Sequence, residues 1–452
     1  MAATDRIGLL PDDVLHCIIS RLPMRDAVLT GSLSRRWRRL WELSVSHFDF
    51  DPSLVSSAAS HCRTSDFLSL VHRLFLLRRN PNPIKSLRLR FRLTFSESDH
   101  IDRWIASAAA SGTDDLEIDL DVPSSYAFPF GIRFPSLKSL RLASCGLRLP
   151  IAFDGFDSLS IVTLENIADL NDGIVSELLS WCPSMERLRL GRCRGLLSLT
   201  IDGGCHQGLR LKHLRVGECR NLVGIVISAV DLASLEYYGQ SVSFSFRKVC
   251  RVGEVMIDFR GSGYGDCIAH ELEKLLGEVP EIGTVALWAS LPHVHEDILP
   301  QDSVVFANLR QLSLDIPTRK DTGIHNMIIQ ILKSAPLLKK FQLDLLWYSG
   351  LDRTSTTMGE TLRPGRFQHH HLNIVELTGF IGNTNEILLA KYILQTTVSL
   401  ERMTVCPRKR CLLRDGKSET HPAHLLWSVE GRARVHEHLT PDVPPGAQLV
   451  IL

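Results

Sequence analysis

Several residues in this chain belong to types that do chemistry, and their spacing decides whether they can. Cys205 sits beside His206, and Cys182 lies earlier in the chain. A thiol and an imidazole can make an activated nucleophile, but such partners meet in space, so adjacency in sequence carries no weight. Cys406 and Cys411 could be half of a zinc site, yet no second pair follows at zinc spacing. His369, His370 and His371 form a cluster without convergent ligands, and a loop before a strand is expected there. The glycine-rich run GSGYGD at 261–266 fits a nucleotide-binding loop only loosely, because no lysine follows at phosphate-binding spacing. A loop after a strand at 255–259 is the expectation. No GxSxG elbow and no HExxH pair occurs. No catalytic residue, metal ligand or cofactor is assigned, and the chain is expected not to be an enzyme.

What remains is surface, and composition bounds what it meets. The chain has 452 residues, a net charge of +1, 44% hydrophobic and 22% charged residues. That balance suits a folded protein with no global bias toward nucleic acid. No apolar run reaches the roughly 18 residues of a membrane span, so no membrane partner is expected, and with a net charge of +1 nucleic acid is not expected either. Eleven cysteines and an N-terminus without an apolar signal core point to reduced thiols in nucleus or cytoplasm.

The elements that must carry function start at the N-terminus. Pro11 opens a helix whose first turn holds Asp12 and Asp13, and Val14, Leu15, Ile18 and Ile19 give it an apolar stripe. Leu22-Pro23 ends it. Asp26 then precedes a second helix, with Ala27, Val28 and Leu29. Leu33, Trp37, Leu40 and Trp41 give a third helix a large apolar face, beside four arginines between Ser34 and Trp41. An arginine run is by default a solvated face. Two tryptophans and several leucines exceed what so small a unit can bury, and surplus of this kind marks a docking surface.

After a linker-like stretch at 51–66 and a helix at 67–78, short L-x-x-L-x-L segments recur: SLRLRF (86–91), DLEIDL (115–120), LKSLRL (137–142), LSIVTL (159–164), MERLRL (185–190), LLSLTI (196–201), LKHLRV (211–216), LVGIVI (222–227) and LASLEY (232–237), with looser copies to residue 377. Such alternation reads as half-buried strand. Leu137, Leu159, Met185 and Leu211 begin copies 22, 26 and 26 residues apart, the period of a leucine-rich repeat. Cys145, Cys193 and Cys219 each follow the last apolar strand position by three residues, where a small buried side chain suits the turn. Residues 168–185 suit a helix capped by Asp172. The shorter steps from Met185 to Leu196 and Leu211 to Leu222 cannot hold one, so helical backs and tight turns should alternate. At 384–407 a helix capped by Asn385 runs into a strand, and beyond Pro407 the prolines of HLTPDVPPGAQLVIL suggest a weakly ordered tail. Solvent-facing positions between the strand leucines include Arg141, Arg187, Arg189, Lys212, His213 and Arg215, a basic set that suits an acidic protein partner or a small anion at least as well as a nucleic acid, or is simply a solvated sheet face.

Residues 5–41 resemble the F-box of plant F-box/leucine-rich-repeat proteins. The resemblance rests on Leu10-Pro11-Asp12-Asp13, Leu15, Ile19, Leu22-Pro23, Asp26-Ala27-Val28, Thr30, Leu33-Ser34, Arg36-Trp37 and Leu40-Trp41. The middle resembles the plant form of the repeats, and 372–405 resembles the start of the FBD region. It implies an α/β fold: a three-helix F-box (5–50), linker and helix (51–80), an irregular leucine-rich-repeat solenoid (84–350) with parallel strands on its concave face, and an FBD-like region (370–440). It implies a substrate-recognition subunit of an SCF-type ubiquitin ligase, with a Skp1-like adaptor and, through it, a cullin–RING ligase as constant partners and an unknown protein as substrate. A scaffold outside ubiquitination is the alternative. By carry-over, Leu10, Pro11, Leu15, Ile19, Leu22, Pro23, Val28, Leu33, Trp37 and Trp41 form the F-box core and adaptor face. Leu10, Pro11, Ile19, Leu22 and Pro23 are expected in direct contact, and Trp37 between core and interface. Gly31 stands where the family usually has Ser and is expected to loosen the junction of the second and third helices.

Overall fold

The computed structural model describes residues 7–54, 63–77, 83–93, 95–121, 126–150, 153, 156–205, 208–228, 231–247, 251–259, 275, 277–279, 281–289, 306–318, 324–347, 367–408, 410–412, 418–420 and 429–452. The chain divides into two compact units, Met1–Gly224 and Ile225–Leu452.

Three helices open the first unit. Pro11 stands in extended conformation ahead of α1 (Asp12–Ile19), and Asp12 and Asp13 occupy its electropositive first turn. Pro23 does the same for α2 (Met24–Thr30). Asp26 does not precede α2, as the sequence suggests, but lies inside its first turn. The proline already sets the helical start, and an acidic side chain suits the turn that follows it. Ser34 caps α3 (Arg35–Ser44), accepting the Trp37 N–H at 3.3 Å. Leu15, Ile19, Met24, Ala27, Trp37, Leu40 and Trp41 are buried as the core of these helices. Gly31 tightens the junction rather than loosening it. A Cβ there would lie 2.7 Å from Trp41 Nε1, so the missing side chain lets the indole close over the turn.

Seven parallel strands follow in chain order: His47–Phe50, Ser86–Arg90, Asp115–Asp119, Ser139–Ala143, Ile161–Glu165, Arg187–Gly191 and His213–Gly217. Their register stacks apolar side chains in two rows. One is Phe48, Leu87, Leu116, Leu140, Val162, Leu188 and Leu214, and the other is Phe50, Leu89, Ile118, Leu142, Leu164, Leu190 and Val216. Every member is at most 3% exposed, so each contributes about 1.5–3 kcal/mol of burial. Connections between strands carry α4 (Thr64–Leu77), α5 (Ser98–Ala110) and α6 (Asp172–Trp181). The cap of α6 is Asn171, whose side chain accepts the Ile174 N–H, and not Asp172. Asp172 instead accepts the Ser198 N–H at 3.1 Å, tying the helix start to the next segment.

That segment corrects the repeat count. LLSLTI forms the strand Ser198–Asp202, which lies outside the long sheet. LVGIVI likewise forms Gly224–Ser228, neighbour of Ser243–Arg247 in a small separate sheet. Eleven residues after the start of one strand the chain has not travelled round to the same layer, so these copies are not rungs of the long sheet. Where the turns leave the sheet, Ser144, Asn166, Arg192 and Glu218 stand one residue past their strands with φ of 59°, 53°, 56° and 52°. The first three donate their amides to Glu165, Gly191 and Gly217 carbonyls at 2.9, 2.7 and 2.8 Å. The left-handed kink swings the following residue inward. Cys145, Cys193 and Cys219 are buried there, as their spacing predicts.

The second unit repeats the scheme with strands Asp231–Gly239, Arg251–Phe259, Thr284–Ala289, Gln311–Thr318, Lys340–Trp347, Ile374–Thr378, Arg402–Cys406 and Gln448–Ile451, parallel and again in chain order. Its described helices are α7 (Ile324–Ser334), α8 (Thr384–Thr396) and α9 (Val429–Leu439). Asn383, not Asn385, caps α8: it accepts the Glu386 N–H at 2.9 Å, and Glu386 accepts the Ile381, Gly382 and Asn383 amides in return. The expected weakly ordered tail instead holds a regular helix and strand. Pro441, Pro444 and Pro445 fall in the connection, leaving Gln448–Ile451 free to pair with Arg402–Val405.

Candidate interaction surfaces

The helical module presents its surface through one arginine. Arg36 on α3 donates from Nε and Nη2 to Asp12 Oδ1, at 2.9 and 2.5 Å, and from Nη1 and Nη2 to the Gly8 and Leu10 carbonyls. This ties residues 8–10 and the start of α1 to α3. The tied segment carries Leu9, 76% exposed, next to half-buried Leu10 and exposed Pro11. Pro23 and Leu33 are also exposed, while Leu22 and Val28 are half-buried. Leu15, Ile19, Trp37 and Trp41 face inward. Ile19 was expected in contact with a partner; at 0% exposure it has no surface to offer and belongs to the core. Sequence reasoning missed Ile7, Leu9 and Leu29 as surface residues and did not separate exposed Val14 and Ile18 from buried Leu15 and Ile19 within one apolar stripe. Of the ten exposed large apolar side chains among the described residues, six (Ile7, Leu9, Val14, Ile18, Leu29 and Leu33) lie in this module.

The solvent face of the first unit's sheet carries charge in register. Arg88 lies between Asp49 and Glu117 in the ladder and pairs with both. Arg141 pairs with Glu117 at 3.4 Å and Glu165 at 3.0 Å, and Arg192 also reaches Glu165. Further along, alternation stops. Arg187 and Arg189 face Ile161 and Thr163 on one side and His213 and Arg215 on the other. Both arginines are exposed; His213 and Arg215 are half-buried. Lys212, exposed at the edge, pairs with Glu186 at 2.8 Å, which holds that carboxyl below its usual range.

Among the described residues, those that could have done chemistry are not assembled. Burial pushes the Cys182 thiol up to about 12, so it is no nucleophile at neutral pH. Cys205 is exposed. His206, the side chain of Cys411 and the loop 261–266 lie outside the described residues. His369 is 3% exposed and fully engaged: Nδ1 accepts the Leu372 N–H at 3.1 Å, so Nε2 donates to the Ala335 carbonyl at 2.9 Å. His370 and His371 are exposed. Among the described residues no group of three metal-ligating side chains converges, and no helix is long and apolar enough to cross a membrane.

Comparison with known proteins bears on the whole layout. Residues 7–49 match the F-box domain, and residues 76–452 match the family described as At1g61320/AtMIF1, LRR domain. An F-box/FBD/LRR-repeat protein of Arabidopsis thaliana is 30% identical over 419 residues, 89% of this chain and 92% of its own. The chain belongs to the F-box/FBD/LRR-repeat proteins. Other Arabidopsis relatives match over less. A putative FBD-associated F-box protein is 34% identical over 56% of this chain, and an F-box/LRR-repeat protein is 34% identical over 41%. The chain spans 58% of the length of each of those two. In this F-box/LRR chain the apolar surface falls within the F-box match, and the basic face falls within the repeats.

Proposed function

We propose that this protein is the non-catalytic substrate-recognition subunit of an SCF-type (Skp1–cullin–F-box) ubiquitin ligase, acting in nucleus or cytoplasm. Its F-box binds a Skp1-like adaptor and through it a cullin–RING ligase, and its repeats hold a target protein. The observation that carries this is the concentration of exposed apolar side chains on the F-box, on a surface rigidified by Arg36. Apolar exposure of this kind marks a protein interface, and folding alone gives no reason for it. The adaptor face is assigned to Leu10, Pro11, Leu22, Pro23, Val28 and Leu33, extended by Leu9 and Leu29. Leu15, Ile19, Trp37 and Trp41 support that face from beneath. Residues 370–440 are assigned as the FBD-like region.

The test is a titration of the full chain with a purified Skp1-like adaptor. Wild type binds. Replacing Leu9 and Leu33, both more than half exposed, with Glu weakens binding at least about tenfold while the thermal melt is retained, as expected for central interface anchors. Unchanged affinity in that variant sinks the assigned face. Adaptor binding without transfer of ubiquitin to any captured partner favours the scaffold alternative.

A further inference from the structure

We infer that the solvent face around Arg187 and Arg189 is a docking surface for an acidic segment, rich in Asp or Glu, of a partner protein. The inference rests on the repeats being the target-binding part. Its basis is a break in charge pattern within one sheet. Upstream, every arginine on this face has a carboxylate beside it in the ladder: Arg88 between Asp49 and Glu117, and Arg141 next to Glu117. At Arg187 and Arg189 the ladder neighbours are Ile161 and Thr163 on one side, and the basic-type His213 and Arg215 on the other. Like charges directly across a strand pair oppose folding. Among the described residues neither Arg187 nor Arg189 forms a salt bridge; Glu186 acts on Arg187 through space while bonded to Lys212. The nearby acids are already committed, Glu165 to Arg141 and Arg192, and Glu186 to Lys212.

Two exposed arginines with no carboxylate beside them in the ladder fit a partner that supplies the missing charge. Chemistry selects the partner. Arginine forks match carboxylates with two parallel hydrogen bonds. Arg187 and Arg189 sit two residues apart on one strand, about 7 Å. This matches alternate side chains of an extended acidic peptide. Nucleic acid fits less well. A phosphate backbone needs a continuous basic track, and here the cations are flanked by Glu117, Glu165 and Glu186 on a chain of net charge +1.

The experiment uses the full chain and a fluorescein-labelled peptide of alternating Glu and Gly, read by anisotropy at low and high salt. Two further probes are the same peptide with Gln in place of Glu, and a single-stranded DNA of similar length. Expected is binding of the Glu peptide that weakens with salt, no binding of the Gln peptide, and weaker binding of DNA. R187E/R189E loses the Glu peptide by about tenfold or more, since each contact becomes repulsive. Arg103→Glu, on the exposed face of α5, leaves binding unchanged. Equal binding of the Gln peptide, tighter binding of DNA, or full binding by R187E/R189E overturns the inference. Each sample is also titrated with the Skp1-like adaptor. R187E/R189E with intact adaptor binding shows that the chain is folded and that only the repeat surface changed. Wild type that fails with the adaptor refutes the ligase assignment instead.

Discussion

Arg36 spans twenty-four residues to reach Asp12, and that reach explains more than the charge does. The ion pair is exposed at both ends, 42% and 59%, so its contribution to stability is small. Its effect is on order. Releasing residues 8–10 returns backbone freedom of about 1–2 kcal/mol per residue, and a partner must then remove it. Arg36→Ala is therefore expected to leave the thermal midpoint nearly unchanged and to weaken adaptor binding by about tenfold or more, measured by calorimetric titration. Arg36→Lys does not restore binding, because one ammonium cannot serve two carbonyls and a carboxylate in that geometry. Gly31 makes the opposite prediction. Gly31→Ser pushes a Cβ against the Trp41 indole, and urea unfolding should show a loss of about 1–3 kcal/mol. His369 links the second unit to pH. Burial lowers its pKa from 6.5, and its Nδ1 is committed as an acceptor. The unfolded chain therefore takes up the proton first, and stability falls as pH drops through about 6.5. His370 and His371 repel that proton further. The urea midpoint should decline between about pH 7.5 and 5.5, and His369→Asn should flatten that part of the decline.

At the scale of elements, strands were legible and layers were not. The L-x-L alternation in LKSLRL and LLSLTI is the same, because alternation records one buried face and one open one. It does not record which sheet the strand joins. Connection length carried that information: a step of 26 residues returns to the long sheet, and a step of 11 does not. Helix starts were misplaced by a residue or two for a related reason. Asn171-Asp172 and Asn383-Thr384-Asn385 each offer several capping side chains, and the exit path of the preceding strand selects among them. Asn383→Ala should remove about 1 kcal/mol through loss of the cap, seen as earlier hydrogen exchange in α8. The turn after Ile374–Thr378 is less forgiving. Gly379 has φ of 66°, and a Cβ there would lie 2.0 Å from the Leu345 carbonyl oxygen. Gly379→Ala is expected to give little folded protein by circular dichroism, because here it is backbone that blocks the side chain.

At the scale of the molecule, the repeat region ends differently on its two sides. The C-terminal strand Gln448–Ile451 covers Arg402–Cys406 with hydrogen bonds from Gln448 to Glu401 and from Leu452 to Val405 at 2.8 and 3.0 Å. Sequence missed it because three prolines so near the chain end outweighed four pairing residues. Removing residues 447–452 should make Arg402–Cys406 the edge strand in place of Gln448–Ile451 and lower the thermal midpoint, read by circular dichroism. The N-terminal end is closed by the F-box itself. α2 packs against the first strand, and Phe48 and Phe50 of that strand meet Phe75 of α4 at centroid distances of 5.9 and 5.7 Å. The F-box and the first rung therefore share one hydrophobic cluster. Anyone building chimeras by moving this F-box onto a foreign repeat array should cut after Phe50 and carry a matching aromatic in the following helix. A cut after Ser44 leaves Phe48 and Phe50 behind with this chain's own repeats and the graft without a floor.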